Sequence, residues 1–571
     1  MTMKRFGSFF NGRFRRDTDV AASLGYKLRA EGIQNYRRFK RAMEPSVSLK
    51  IAFEKPVLFD VPISQKRIDK NTSGPAAWLP LLLVAIAGGC LFTGCNFAPS
   101  YKRPAVDTPG TFKELTPENE KQVDGWKTAQ PNDAALRGNW WEMFHDPQLN
   151  ALEEQVNITN QTVAAALDNF LAARAIVKQN RSQFFPTITA DPSVTRSRQA
   201  ARSGSFGGGT GGGTGKGASG KAIIFTEYSL PLDATWEPDF WGRVRNTVRS
   251  SAYQAQASLA DLENTRLTVQ AELASDYFQI RSLDAQKTVL DNAVIAFKES
   301  LRLTQVRHDT GIASEQDVAQ AEIQLDTASV QATDVGIQRA QLEHAIAALV
   351  GRAPADFSIP AAPLDNKPMA IPFGVPSQLL ERRPDIAASE RRVAAANAQI
   401  GVARSAYFPS ITLSASGGYQ SESTVNLFSG PALFWSLGAA AAQTIFDAGN
   451  KFAVTEQVKA QYQAQVATYR QTVLSAFQDV EDNLVALRLL SQEIQQQDAT
   501  VAAAQRYLDL ANDRYKLGID SYLNVTAAQT ILLNNQRTAI TLRFNQINST
   551  VQLIKAIGGG WNQSQPEKHT L

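Results

Sequence analysis

The chain has 571 residues, of which 43% are hydrophobic and 20% are charged. Its 58 Lys and Arg nearly balance its 54 Asp and Glu, so the composition does not favour a nucleic-acid partner. None of the four His has another His or a Cys nearby, and both Cys lie in the N-terminal region. With no catalytic triad, metal-ligand spacing or phosphate-binding loop, the sequence predicts neither an enzyme, nor a metal site, nor a disulfide in its main part.

The first 94 residues are interpreted as an export signal with an N-terminal extension. An apolar run over 76–87 follows three basic residues and leads through small residues to Cys95. This order is typical of a secretory signal, and the run is too short and too interrupted by Pro and Gly for a transmembrane helix. Because 1–65 is longer than a signal requires, it is interpreted as an extension that results from a start codon called too far upstream. All of 1–94 is excluded from the predicted mature fold.

Cys95 is the predicted attachment site of a covalent lipid, and no other cofactor is predicted. Residues 91–95, Leu-Phe-Thr-Gly-Cys, resemble a bacterial lipobox, in which the Cys thiol is acylated, and Cys90 is an alternative with a poorer match. Two or three acyl chains anchor a protein stably. An Asp after the acylated Cys favours retention in the inner membrane, so Asn96 favours the outer membrane. The segment 95–139 is predicted to be extended and lipid-anchored.

Residues 140–351 are predicted to form one unit, containing a short helix at about 149–181 and a β hairpin within 184–240. The return strand of this hairpin has apolar residues at every second position: Tyr228, Leu230, Leu232, Ala234 and Trp236. Such alternation over about ten residues is typical of a transmembrane β-strand. A stretch rich in Gly, Ser and Thr, 203–220, is predicted to be the hairpin loop and to face the cell exterior.

Two long segments without Gly or Pro, 246–310 and 450–517, are predicted to be helices. At about 1.5 Å per residue each forms a rod of roughly 100 Å, which is longer than a compact domain needs. The rods end at Gly311 and Gly518, and a second helical segment follows each Gly. A helix that ends at Gly and reverses within a few residues forms an antiparallel hairpin, so these two Gly mark hairpin tips.

Motifs of the first unit return in the same order later in the chain. The hexapeptide FFPTIT at 184–189 returns as YFPSIT at 407–412. The tip sequence RHDTGIAS at 307–314 returns as RYKLGIDS at 514–521. Repetition of a whole set of elements in one order indicates a tandem duplication.

The duplication sets the predicted boundaries: 140–351 for the first unit, 352–376 for a Pro-rich equatorial linker, 377–558 for the second unit with its β hairpin at 407–446, and 559–571 for a C-terminal tail. In each unit, the short helix, about 149–181 or 377–406, and the helix after the tip, 312–350 or 519–557, together match the length of the long helix. They are therefore predicted to stack end to end beside it, with their junction near mid-height.

The predicted four strands per chain require an oligomer. Four strands cannot close a barrel, and eight leave an interior largely filled by side chains. Because twelve strands open a lumen, the sequence predicts a homotrimer.

Four motifs carry a family resemblance. They are CNFAPSYKRP at 95–104, WWEMFHDPQL at 140–149, PSQLLERRPDI at 376–386 and AIGGGW at 556–561. Together they resemble the TolC/OprM-type outer-membrane efflux proteins, specifically their lipoprotein branch, the NodT family. The resemblance implies a mixed α/β membrane protein: a trimeric 12-stranded transmembrane β-barrel continued by a 12-helix periplasmic α-barrel with a mixed equatorial belt.

The resemblance also implies a function and partners. The protein would be the outer-membrane channel of a tripartite efflux pump in a Gram-negative bacterium, passively conducting small molecules such as drugs and toxic compounds. A periplasmic adaptor protein and an inner-membrane pump of the RND type would be its partners, and outer-membrane lipid would surround it. The tips at Gly311 and Gly518 would close the periplasmic end and bind the adaptor.

The gate residues depart from the family pattern. Two acidic residues often follow the second tip in this family, but their positions hold Asn524 and Ala527. Asp520 and Asp317 are the remaining candidates for a ring of carboxylates, which would favour cations. The alternative is that Asp520 only caps the second tip helix.

Two other functions remain as alternatives. The first is the outer-membrane conduit of a type I protein secretion system, against which the lipid anchor and the Gly-Gly-Gly-Trp ending favour small-molecule efflux. The second is a structural coiled-coil lipoprotein. A coiled coil would need heptads through both rods and would leave the amphipathic hairpins unexplained.

Overall fold

The computed structural model describes residues 97–107, 112–114, 139–199, 223–362, 364 and 383–559. Several predictions fall outside these ranges: the signal over 1–94, the lipid site at Cys95, the 203–220 loop, and most of the linker and of the C-terminal tail. No helix of the described segments combines the length and the apolar character of a membrane-spanning helix.

Seven α-helices and five β-strands lie within the described ranges. The helices are α1 (Pro147–Thr159), α2 (Gln161–Ser182), α3 (Arg243–Asp309), α4 (Glu315–Leu349), α5 (Pro384–Ser405), α6 (Asn450–Lys516) and α7 (Tyr522–Ala556). The strands are β1 (Thr187–Ala190), β2 (Ser193–Gln199), β3 (Ile223–Trp236), β4 (Ser410–Ser421) and β5 (Leu433–Ala442). The predicted rods are α3 and α6, of 67 residues each, and 35-residue helices follow them.

The predicted helix at 149–181 is two helices, because the chain is extended at Asn160. The Asn160 carboxamide oxygen caps α2 by accepting a hydrogen bond from Val163 N at 2.9 Å. Its Nδ2 donates to Leu349 O at 2.7 Å, and Thr159 Oγ1 donates to Val350 O at 2.6 Å. The break therefore provides donors for the last carbonyl groups of α4. The end of α4 thus meets the start of α2, inside the predicted helix and not at its N-terminal end as the helix lengths predicted.

The second half of the chain makes the corresponding junction with different residues. The end of α7 meets the start of α5, where Arg383 donates to Ala556 O at 3.1 Å. The same guanidinium is paired with Asp385 at 2.7 Å and with Asp479 of α6 at 3.1 Å. One Arg thus holds three helices together at this level.

The five strands form one antiparallel sheet in the order β1–β3–β4–β5, with β2 also paired to β3. The first strand is divided between β1 and β2 at Asp191-Pro192, because Pro has no N–H for the ladder. The sheet therefore has four strand positions, as predicted, but five strands. The pairs Trp236↔Leu413 and Tyr228↔Ser421 join the two hairpins edge to edge.

The N-terminal segment lies along the second half of the chain. The Phe97 ring stacks on Phe408 with centroids 4.3 Å apart, just before β4 begins. Further along, Arg103 Nε donates to the hydroxyl of Tyr469 at 3.1 Å. Residues 97–107 contain neither helix nor strand, and most of the predicted extended segment 95–139 lies outside the described residues.

A buried charged network holds the linker against the helices. Asp284, 7% exposed, accepts hydrogen bonds from Arg339 Nε at 2.6 Å and from Ala362 N at 3.2 Å. Arg281, 4% exposed, pairs with Asp284 at 3.4 Å and donates to Pro360 O at 2.7 Å. This network ties α3, α4 and the start of the linker at one point.

Glu153 of α1 is fully buried, and neither carboxyl oxygen has a hydrogen-bond partner in the described structure. Burial raises its pKa well above the ordinary value. The folded state therefore keeps a proton that the unfolded state releases above about pH 4.3, so stability falls as pH rises until the folded pKa is reached.

Replacing Glu153 with Gln is expected to remove this pH dependence. The free energy of unfolding of the variant minus that of the wild type should be larger at pH 8 than at pH 4.5. The increase should be about 1.4 kcal/mol for each pH unit between the unfolded and the folded pKa of Glu153. Denaturant unfolding in detergent, followed by circular dichroism at both pH values, measures the difference. Equal changes at the two pH values would show that the pKa of Glu153 is the same in the folded and the unfolded protein.

Candidate functional site

The two helix hairpins turn in the same way at their tips. Gly311 and Gly518 have φ angles of +75° and +71°, in the left-handed region that favours Gly. At the first tip, Ile312 N donates to Arg307 O at 2.8 Å, and at the second Ile519 N donates to Arg514 O at 3.0 Å. These bonds satisfy carbonyl groups at the helix ends, which is why each rod stops at its Gly.

Asp317 lies in the first turn of α4. Its Oδ2 accepts hydrogen bonds from Ser314 N at 3.1 Å and from Ser314 Oγ at 2.9 Å. Ser314 Oγ in turn accepts a bond from Asp317 N at 3.3 Å, which completes a capping box. The Asp317 carboxylate therefore stabilises the start of α4.

Asp520 accepts hydrogen bonds from three groups of the second tip. Its Oδ1 accepts from Ser521 N at 2.9 Å and from the Asn524 side chain, and its Oδ2 accepts from Arg514 Nε at 3.1 Å. The bond from Ser521 N, then those from Asn524 and Arg514, lower the pKa of Asp520. The cap of α7 is Ser521, whose Oγ accepts from Leu523 N at 3.0 Å. Asp520 is thus an ionised group of the turn, and Ser521 takes the capping role.

The two tips are joined by residues that the sequence did not single out. The guanidinium of Arg307 lies 4.4 Å from the ring centroid of Tyr515 and donates to Tyr515 O at 3.4 Å. The Tyr515 ring is 5.3 Å from that of Tyr522, whose hydroxyl is 2.8 Å from Ser300 Oγ. Arg307 and Arg514 occupy the same position in the repeated tip sequence. This equivalence was the only indication in the sequence that the two Arg have a role at the tips. They differ in role: Arg307 links the tips, whereas Arg514 binds Asp520.

The strands form a sheet with one apolar and one polar face. Leu230, Leu232 and Trp236 share a face with their β4 partners Tyr419, Gly417 and Leu413. This face continues into β5, where Trp435 is 75% exposed and Leu437 77% exposed. The opposite face carries mainly hydroxyl, amide and carboxylate groups: Ser229, Asp233, Thr235, Ser414, Ser416 and Gln420. An exposed apolar face of this size requires an apolar surrounding.

Four charged residues lie in the described strands, and they separate by sign between the two faces. Glu227 and Asp233 are on the polar face, where Gln420 Nε2 donates to Glu227. Arg196 and Arg198 pair with Thr226 and Ile224, which places them on the other face. The polar face therefore has a negative charge.

Aromatic side chains lie at the helix-side end of the sheet and further along it. At the end next to the helices, the indole N–H of Trp236 donates to Phe184 O at 3.0 Å and that of Trp241 to Pro409 O at 2.6 Å. Further along, Tyr419 of β4 pairs with Leu230 and contacts Phe428 with centroids 5.4 Å apart. A belt of aromatic side chains such as Trp236 and Trp241 is found at the interfaces of membrane β-barrels.

A protein of a known family combines long helix hairpins of this kind with such a sheet. Residues 150–352 and 375–559 match the family described as outer membrane efflux protein, which covers more than half of the chain. The chain belongs to this family. Membership confirms the predicted location in the outer membrane and the role of an efflux channel rather than an enzyme.

Individual members are similar over nearly their full length. The antibiotic efflux pump outer membrane protein ArpC of Pseudomonas putida is 33% identical, over 82% of this chain and 93% of ArpC. The toluene efflux pump outer membrane protein TtgC, also of Pseudomonas putida, is 32% identical over the same shares. The solved outer-membrane channel OprN is 27% identical, with a TM-score of 0.71 over 82% of this chain and 100% of that chain. The mostly helical fold with a sheet is that of an OprM/TolC-type channel.

Proposed function

We propose that three copies of this chain close a 12-stranded β-barrel in the outer membrane, continued by a 12-helix periplasmic α-barrel. The observation that carries this proposal is the sheet, which combines an exposed apolar face with two open edges. In the described chain β5 pairs only with β4, and β1 and β2 pair only with β3. In lipid every backbone N–H and C=O group must find a partner, so these edges pair with those of further copies.

The tandem repeat supports the same assembly. Each half supplies one β hairpin to the sheet and one helix hairpin. In both halves the first helix of that hairpin has 67 residues and the second has 35. Three chains, each with two similar halves, would place six similar units around the channel. The polar face of the sheet then lines a water-filled lumen, and the apolar face contacts lipid.

Purified protein tests this assembly. We expect a species of three times the chain mass on unheated gels, its collapse to the monomer on boiling, and stepwise conductance in planar bilayers. A monomer that inserts no conductance would contradict the proposal.

We also propose that Cys95 carries the lipid anchor. Phe97 stacks on Phe408 at the helix-side end of the sheet, beside the aromatic belt that marks the inner membrane surface. Two residues of extended chain reach at most about 7 Å. Cys95 is therefore close enough to the inner leaflet for acyl chains attached to it to enter the membrane.

Replacing Cys95 with Ser is expected to abolish acylation, because the hydroxyl of Ser is not the thiol that the lipobox supplies. Radiolabelled palmitate should enter the wild type and the control Cys90→Ser but not Cys95→Ser, while trimers still form. Label that persists in Cys95→Ser and disappears in Cys90→Ser would assign the anchor to Cys90.

The channel is proposed to conduct small molecules delivered by a periplasmic adaptor and an inner-membrane RND pump. The relatives named for antibiotic and toluene efflux support a cargo of small, largely apolar compounds. Deleting the gene is expected to sensitise the cell to such compounds, and the intact gene should restore resistance. Loss of a secreted protein without any sensitisation would favour the type I secretion alternative.

The tips are proposed to form the periplasmic gate, with Asp520 as its carboxylate. Its lowered pKa keeps it ionised at neutral pH, and three copies would form a ring of negative charge. Asp317 is the second candidate, and its carboxylate is likewise held by hydrogen bonds, in the capping box of α4. Asn524 contributes by orienting Asp520 rather than by charge.

Replacing Asp520 with Ala is expected to lower cation selectivity and change the single-channel conductance, since it removes the carboxylate and leaves Arg514 unpaired. Ion selectivity in planar bilayers measures this change. Asp233→Asn, which removes a carboxylate from the barrel lumen, is the control. It distinguishes an effect of the tip carboxylate on selectivity from an effect of charge in the barrel. Unchanged selectivity and conductance in Asp520→Ala would remove Asp520 from the gate.

A further inference from the structure

Arg196 and Arg198 of β2 occupy a position that channel function does not explain. Alternation along the strand places both on the face that carries Val194, Tyr228 and the apolar residues of β3. Both side chains are exposed, and neither guanidinium has a hydrogen-bond or ion-pair partner in the described part of the chain. In the proposed barrel, both Arg face lipid and not the lumen.

Their level along the sheet corresponds to the outer membrane surface. Arg196 pairs with Thr226 and Arg198 with Ile224, whereas Trp236 lies at the inner aromatic belt. At about 3.3 Å per residue and a strand tilt of about 40°, the two Arg lie about 25 and 30 Å beyond Trp236. An apolar band of about 25 Å therefore ends where the first Arg begins.

This arrangement points to a ligand with both anionic and apolar parts. Two Arg at alternate positions on one strand face the same way, about 7 Å apart, and each can bind a phosphate with two parallel hydrogen bonds. Directly below them the apolar face continues through Val194 and Tyr228, and Ile224 beside them is 56% exposed. The carboxylates of the sheet lie on the opposite face and do not compete for the Arg.

We propose that Arg196 and Arg198 bind the phosphate groups of an anionic lipid of the outer leaflet, which in a Gram-negative outer membrane is lipopolysaccharide. The acyl chains of the same lipid lie against the apolar face below. This inference rests on the proposed barrel and adds a lipid site to it. The site would fix the depth of the barrel at the base of the external hairpin loop.

The test compares R196Q/R198Q with R470Q/R506Q, a control with the same loss of charge at exposed positions of α6. Trimers in non-ionic detergent are titrated with lipopolysaccharide, with its dephosphorylated form and with inorganic phosphate. We expect R196Q/R198Q to bind lipopolysaccharide at least tenfold more weakly than the wild type and the control. Dephosphorylation should weaken wild-type binding to the same extent, and millimolar inorganic phosphate should not compete.

Other outcomes would overturn the lipid site and leave the barrel proposal intact. Equal affinity of both variants would exclude the two Arg, and competition by inorganic phosphate would indicate a simple anion site. If R196Q/R198Q dissociates to monomers, the Arg bind a second copy instead of lipid. Conductance of R196Q/R198Q in phosphatidylcholine bilayers should equal that of the wild type. If the wild type showed no conductance in these bilayers, the proposed barrel itself would be contradicted.

Discussion

Replacing Asp284 with Ala is expected to lower the free energy of unfolding by about 3–5 kcal/mol, because it leaves buried positive charges without their carboxylate. Asp284 is 7% exposed and binds Arg339, Arg281 and the backbone of Ala362. Its loss removes the point at which α3, α4 and the linker meet. Denaturant unfolding in detergent, followed by circular dichroism of the helices, measures the change.

An exposed ion pair on the same helix provides the control. Asp291 pairs with Lys287 at 2.6 Å, and both side chains are close to half exposed. Because such surface pairs contribute little, Asp291→Ala should cost about 0–1 kcal/mol. If Asp284→Ala costs no more than Asp291→Ala, the network does not hold the linker to the helices.

The second large effect is expected from replacing Gly351 with Ala. Gly351 has a φ angle of +68°, and a Cβ added there would lie 2.5 Å from Thr159 O. The left-handed backbone costs an L-residue about 1–2 kcal/mol. The contact also forces apart the junction of α1 and α4, which adds about 1–3 kcal/mol. The same unfolding measurement should therefore show a loss of several kcal/mol.

Gly311 separates these two contributions. Its φ angle of +75° is similar, but a Cβ added there meets nothing within 4 Å. Gly311→Ala should therefore show the backbone cost alone, about 1–2 kcal/mol. Equal losses in Gly311→Ala and Gly351→Ala would mean that the contact with Thr159 relaxes freely.

Features encoded by neighbouring residues were predictable from the sequence. The rods follow from long stretches without Gly or Pro, and the tips follow from Gly311 and Gly518, since a left-handed residue is a local requirement. The two faces of the sheet follow from alternation along each strand. Local signals for the two interruptions, Asn160 and Pro192, were also present, but the overall helical and alternating patterns hid them.

Contacts between distant residues were not predictable. The Arg307–Tyr515 contact joins residues 208 positions apart, and the bond from Arg281 to Pro360 spans 79. Likewise, the partners of Asp520 became known only from the turn geometry, because an Asp after a tip Gly is equally consistent with a cap or a gate.

The sequence by itself determined the family, the long helices, their tips and the amphipathic strands, because each depends on residue types at short, regular spacing. Only the tertiary structure decided how the helices meet at Asn160, which buried charges hold the linker, and how the tips contact each other. It also placed Arg196 and Arg198 on the apolar face, because their level depends on the register of β2 with β3. Pairing registers and buried ion pairs are selected by the whole fold, so no local pattern specifies them.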